Sequence, residues 1–177
     1  MQTKKTPDRI PEYILILNRY FTPFAVALVG MGILLGQPPD PFNKYSFYLI
    51  LIAIIFNAET ALLATYKKEW SAWVSKGRLV TNFSFNLVFF YMLGNVWEPI
   101  WLLFVLTPIA VGLYGTQGQT IISAHISAGV LLLGYAFKEQ CSLAVWGQGI
   151  TYAAFIVFVS LFIHDLKKRM TEPKKPA

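Results

Sequence analysis

Six apolar segments occupy almost the whole of this 177-residue chain. A helix needs about 20 mainly apolar residues to cross the roughly 30 Å hydrocarbon layer of a bilayer, and each segment is near that length. The segments are Tyr13–Gly36, Ser46–Tyr66, Leu79–Val96, Pro99–Tyr114, Gln119–Phe137 and Leu143–His164. The sequence therefore predicts an all-α, polytopic membrane protein folded as one compact bundle of six transmembrane helices, with no room for a soluble catalytic or DNA-reading domain.

The basic residues are concentrated in alternate connections. Twelve of the fifteen lie before the first segment, between the second and third, or after the sixth. Cytoplasmic segments of membrane proteins carry such an excess of Lys and Arg, so both termini are expected in the cytoplasm. This divides the chain into a basic N-terminal segment (1–12), the bundle (13–165) and a basic tail (166–177). Because this pattern explains the net charge of +6, nucleic acid is not expected as a partner.

Tryptophan residues lie near both expected membrane surfaces. Trp97, Trp101 and Trp146 are near the outer boundary, and Trp70 and Trp73 are near the inner one. Tryptophan favours the headgroup level because its ring has an apolar body and a polar N–H. These five residues are therefore predicted to anchor the bundle at the interfaces.

The connections are short. The outer connection 37–44 contains three prolines and is predicted to be a loop. The inner connection 67–78 is either an amphipathic helix on the membrane surface or an extension of the third helix, and the sequence leaves both open. Two pairs of small residues spaced four apart, Gly32/Gly36 and Ala124/Ala128, are typical of closely packed membrane helices.

Five polar side chains from four segments are expected at similar depth in the inner half of the membrane. They are Arg19, Glu59, Asn82, Asn86 and His125, each about 6–12 Å from the cytoplasmic end of its segment at 1.5 Å per residue. Ionisable groups at that depth are costly unless they face the bundle interior and pair. We therefore predict a polar cluster, with Arg19 and Glu59 as an ion pair.

Two prolines lie inside apolar segments and are predicted to kink their helices. Proline lacks the N–H that would bond to the carbonyl four residues earlier. Pro23 therefore frees the carbonyl of Arg19, and Pro108 frees the carbonyl of Phe104. The freed Arg19 carbonyl is an acceptor that Asn82, Asn86 or His125 could use.

The cluster has two interpretations. It is either structural, fixing which helices are neighbours, or a switch or ligand site. No catalytic set, no paired carboxylates and no metal-ligand spacing can be assembled, so neither an enzyme nor a metal site is expected. Haem bound by two histidines is not favoured, because His125 and His164 lie at different depths. No cofactor is predicted, and bound lipid or pigment is compatible with the sequence.

The stretch from Asn95 to Gly115 resembles part of a known membrane module. Glu98-Pro99, Pro108 and Tyr114-Gly115 carry the resemblance, which is to the third-to-fourth helix region of the six-helix input modules of bacterial sensor histidine kinases. The resemblance implies a sensory module in the bacterial inner membrane. The chain ends about 13 residues after His164, without the phospho-accepting and ATP-binding domains of those kinases.

Elimination therefore favours a non-catalytic accessory or scaffolding subunit of a larger membrane complex, such as a respiratory or photosynthetic one. The alternative is a stand-alone sensory or regulatory module that signals through a separate partner. Membrane lipids and other integral membrane subunits are the expected partners, and a homo-oligomer is compatible with the sequence.

Overall fold

A computed structural model describes residues 17–67, 71–138 and 142–171, and all regular structure in these ranges is helical. Six α-helices are present in this part of the chain: α1 (Thr22–Gly36), α2 (Phe42–Tyr66), α3 (Ser71–Leu93), α4 (Leu103–Tyr114), α5 (Gln117–Ala136) and α6 (Leu143–Thr171). A π-helical turn, Leu17–Phe21, precedes α1, and a 3-10 helix, Glu98–Leu102, leads into α4. The predicted all-helical class is confirmed.

Four of the helices are long and apolar enough to cross a membrane. These spans are Arg19–Gly36, Phe42–Ala64, Gln117–Ala136 and Leu143–Met170. The other two helices fall short for different reasons. α3 carries charged and amide side chains along its first half, and α4 has only 12 residues.

Two boundaries differ from the sequence prediction, and one of the two alternatives left open for the inner connection is observed. α2 begins at Phe42, directly after Pro41, so the predicted loop ends before Lys44. α3 is one continuous helix from Ser71, so residues 71–78 extend the third helix instead of forming a separate surface helix. α6 continues to Thr171, into the segment predicted as a tail.

Pro23 is the second residue of α1, which follows directly on the π-helical turn Leu17–Phe21. Because Pro23 has no N–H, the carbonyl of Arg19 cannot make its regular α-helical bond. The chain before it forms the wider π-helical turn instead.

The short helix α4 lies at the centre of the bundle. It packs against α3, α5 and α6, and half of its side chains are buried. Aromatic rings from the neighbouring helices complete the core around Phe104, with Phe90 at 5.8 Å between ring centroids and Tyr135 next to Phe90 at 5.1 Å. α1 and α2 pack at the side of this core through α3.

We call the end of the bundle that holds the end of α2, the start of α3 and the end of α6 the basic end, because Lys67, Arg78 and Lys168 lie there. The opposite end is closed by a polar and aromatic network. The Glu98 carboxylate accepts hydrogen bonds from Gln148, at 2.7 Å, and from the Tyr152 hydroxyl.

Lys138 joins two connections at this opposite end. Its ammonium donates to the carbonyl of Gly94 at 2.9 Å and lies 4.8 Å from the centre of the Tyr135 ring. Burial lowers the pKa of Lys138 below its usual value, and the negative charge of Glu98 opposes that shift. The network fixes the ends of α3, α5 and α6 relative to one another.

The predicted tryptophan anchors have different environments. Trp101 stacks on Tyr152, with ring centroids 4.2 Å apart, and so belongs to the protein core. Trp97 packs on the small residues of α1, since a Cβ added to Gly32 would lie 3.0 Å from its ring. Trp73 is 78% exposed, as an anchor would be, whereas Trp146 is half-buried and Trp70 lies outside the described residues.

Candidate ligand cleft

A cleft of about 510 Å³ opens within the basic half of the bundle. Side chains from the π-helical turn and from α1 to α5 line it, and most of the wall is apolar. Ligand sites in proteins usually have volumes of roughly 300–1,000 Å³ and mainly apolar walls with a few placed polar groups. The polar side chains of this wall that are not exposed include Asn57, Arg78, Asn82, Asn86, Thr107 and Ser123.

Arg78 is a buried charged group of the cleft wall. Its side chain is only 6% exposed, although it lies on the first half of α3. Its Nη2 donates a hydrogen bond to the side-chain oxygen of Asn57 on α2 at 2.9 Å. A buried guanidinium is costly to desolvate. The hydrogen bond to Asn57 offsets part of that cost and holds the guanidinium in position.

Asn57 extends this contact in two directions. Its amide nitrogen donates to the carbonyl of Ala53 at 2.8 Å and approaches the side-chain oxygen of Asn82 at 3.5 Å. Arg78, Asn57 and Asn82 therefore form one connected group across the α2–α3 interface. Because each member limits the rotamers of the next, the guanidinium is held against the cleft wall.

Side chains from α3 and α5 bond to the carbonyls at the start of α4. Asn86 donates to the carbonyl of Leu103 at 3.0 Å, and the Ser127 hydroxyl donates to the carbonyl of Phe104. The Phe104 carbonyl is the one that Pro108 leaves without its helical donor. The α4 helix can therefore hold a buried proline inside the bundle without leaving that carbonyl unpaired.

Ser123 supplies a further polar atom on the α5 side of the cleft. Its side chain is 4% exposed, and its hydroxyl oxygen has no hydrogen-bond partner within the described part of the chain. Buried hydroxyl groups are normally hydrogen-bonded, so a buried hydroxyl that lines a cleft and lacks a protein partner can bond to a bound molecule.

The cleft reaches the surface by two kinds of rim. Ile54 on α2 and Ile122 and Ile126 on α5 line it and are themselves exposed, so this part of the rim is apolar. Lys76 and Gln119 line the rim at the basic end and are also exposed. A molecule in the cleft would thus meet a polar opening at one side and an apolar opening at the other.

The structure gathers only part of the predicted polar cluster. Asn82 and Asn86 line the cleft, but Arg19, Glu59 and His125 are exposed and do not. Arg19 and Glu59 form no ion pair, so that expectation is corrected. His125 bonds to its own helix, with Nδ1 2.8 Å from the carbonyl oxygen of Ile121. The expected depth of a residue along a helix does not specify which face of the helix it occupies.

His164 faces the interior of the bundle near the basic end. Its Nδ1 lies 3.2 Å from the carbonyl oxygen of Gly112 and 3.5 Å from the hydroxyl of Thr120. The residue joins α4, α5 and α6, and is not only an interfacial residue at a helix end. His125, in contrast, points to the exposed side of α5.

Sequence reasoning missed Asn57 and Arg78. Arg78 was counted with the cytoplasmic connection, and Asn57 was not distinguished within its apolar segment. A signal was present, because Arg78, Asn82 and Asn86 are spaced four residues apart. This spacing places all three side chains on one face of a helix once the helix is known to begin before Arg78.

No group of three or more His, Cys, Asp or Glu side chains is placed to hold a metal ion in residues 17–67, 71–138 and 142–171. Cys141 lies outside these ranges. No protein-family model, curated protein or solved structure matches the chain.

Proposed function

We propose that this chain is a non-catalytic membrane protein that binds a small amphipathic molecule in the basic-end cleft and relays its occupancy to a separate partner. The single observation that carries the proposal is the Arg78–Asn57–Asn82 group, which is fixed by hydrogen bonds against the wall of a mainly apolar cleft. This is the sensory or regulatory alternative, and the resemblance to kinase input modules supports it.

The proposal includes the arrangement in the membrane. All six helices cross or enter the bilayer of a bacterial inner membrane, with both termini in the cytoplasm. The distribution of Lys and Arg supports this orientation. α3 and α4 can be less apolar or shorter than the four long spans because the other helices surround much of their surface.

Glu59 supports a second candidate function, an accessory subunit of a larger membrane complex. It is exposed on α2, seven residues before the helix ends, which is about 10 Å at 1.5 Å per residue. A carboxylate facing lipid at that depth is costly, whereas a cationic side chain on a partner helix would offset the cost. In this second case, α2 is the docking helix.

One extraction experiment tests both candidates. The protein is purified from its native membranes under gentle conditions, and native mass spectrometry identifies what remains bound. Ligand binding predicts one defined small molecule per chain. The subunit function predicts larger membrane proteins in fixed ratio, which Glu59→Gln should release and Asp165→Asn, a control for loss of an exposed carboxylate, should retain. A chain that carries no small molecule contradicts the first proposal.

A further inference from the structure

We infer that the cleft ligand is an anionic amphiphile of the membrane: a phosphate or carboxylate head that bonds to Arg78, with an apolar tail that leaves between α2 and α5. The inference rests on the proposed function, because it specifies the chemistry of the molecule that the cleft would bind. It follows from the charges, the donors and the two rims of the cleft.

The charges of the cleft select an anion. Arg78 and Lys76 line it, and no Asp or Glu does among the described residues. A guanidinium presents planar donors that match the oxygens of a phosphate or carboxylate, and such charge-assisted hydrogen bonds are about twice as strong as neutral ones. A cationic head would instead meet these two positive charges.

Neutral donors can complete the head site. The Asn82 amide lies beside the Arg78–Asn57 contact, and the Ser123 hydroxyl lines the α5 side of the cleft without a protein partner in the described ranges. An anionic head has several lone pairs and can accept from more than one of these groups at once. The same groups would bind a lone phosphate, so the head alone does not explain the rest of the cleft.

The rest of the cleft wall is apolar and suits an apolar tail. Val26, Ile50, Phe85 and Leu106 come from four different helices and face the same space. The apolar rim at Ile54, Ile122 and Ile126 opens on the side of the bundle between α2 and α5. Burial of a methylene group stabilises a complex by roughly 0.8 kcal/mol, so the tail would supply affinity while the head supplies specificity.

The test compares two probes that differ only in their heads, oleyl phosphate and oleyl alcohol, with inorganic phosphate as a head without a tail. The full chain is placed in phosphatidylcholine nanodiscs, and native mass spectrometry measures the bound fraction of each probe. We expect oleyl phosphate to bind at least about tenfold more tightly than oleyl alcohol, because a charged hydrogen bond is lost in the alcohol. Inorganic phosphate should bind more weakly still.

Three variants test whether Arg78 causes the preference for oleyl phosphate over oleyl alcohol. Arg78→Gln should bring the two oleyl probes to nearly equal affinity, and Arg78→Lys should keep a preference because the charge remains. Arg169→Gln, which removes an exposed Arg of α6, should behave as the wild-type chain does. If Arg78→Gln does not fold, the affinities for oleyl phosphate and oleyl alcohol are compared on the wild-type chain and on Arg78→Lys. A preference for oleyl phosphate on both still supports the anionic head, and equal affinities overturn it.

The outcomes separate this inference from the proposed function. Equal binding of oleyl phosphate and oleyl alcohol overturns the anionic head but leaves a ligand cleft. Tight binding of inorganic phosphate alone overturns the amphiphile. Failure of every probe to bind, together with no small molecule retained from native membranes, overturns both proposals.

Discussion

Replacement of Gly112 with leucine is expected to lower the free energy of unfolding of the bundle by about 1–3 kcal/mol, the usual range for overpacking a core. A Cβ at this position would lie 3.0 Å from the carbonyl oxygen of Ser160 and 3.7 Å from the backbone nitrogen of His164. Because these atoms belong to the backbone of α6, they cannot rotate away. α4 and α6 would have to separate, and the His164 contact with the Gly112 carbonyl would be lost.

Gly129→Leu is the matched control. Gly129 lies in the middle of α5, is exposed, and has open space where its Cβ would be. Thermal unfolding in the same detergent should show a lower midpoint for Gly112→Leu and an unchanged or higher one for Gly129→Leu. Equal midpoints for the two variants would contradict the close packing of α4 on α6.

Replacement of Ala53 with phenylalanine is expected to reduce binding of the cleft ligand about tenfold or more. Ala53 lines the cleft from α2, one turn before Asn57. A phenyl ring there would occupy space that the ligand needs, while the cleft provides room for it. Since only the backbone carbonyl of Ala53 bonds to Asn57, the Arg78 group should stay in place.

Ala154→Phe serves as the control for added aromatic surface. Ala154 is exposed on α6 and does not line the cleft. Native mass spectrometry should find the small molecule on the wild-type chain and on Ala154→Phe, and should find it depleted on Ala53→Phe. If Ala53→Phe folds and retains the ligand at the wild-type level, the ligand binds elsewhere.

The helical class could be predicted from sequence because apolar length alone selects helices in a membrane protein. The helix start at Phe42 could not be predicted, since polar residues near a membrane surface are compatible with either loop or helix. The freed Phe104 carbonyl was predicted correctly, because it depends only on the covalent structure of Pro108. Its donor, Ser127, required the packing of α4 on α5.

The site was predicted only in part for a similar reason. The expected depth in the membrane follows from counting residues, and two of the residues grouped in this way, Asn82 and Asn86, line the cleft. The direction in which each helix faces depends on packing with its neighbours. It is this rotation that leaves Glu59 and His125 on the exposed surface and turns Asn57 and Arg78 towards the cleft.

The most direct test of the central claim, that the cleft binds a specific small molecule, is site-specific photo-crosslinking in native membranes. A photoreactive amino acid replaces Leu106, which lines the cleft, and in a separate chain replaces Ala154, which faces outwards. The account predicts one adduct of defined mass at position 106 and a mixture of bulk phospholipid adducts at position 154. The same mixture at both positions would contradict it.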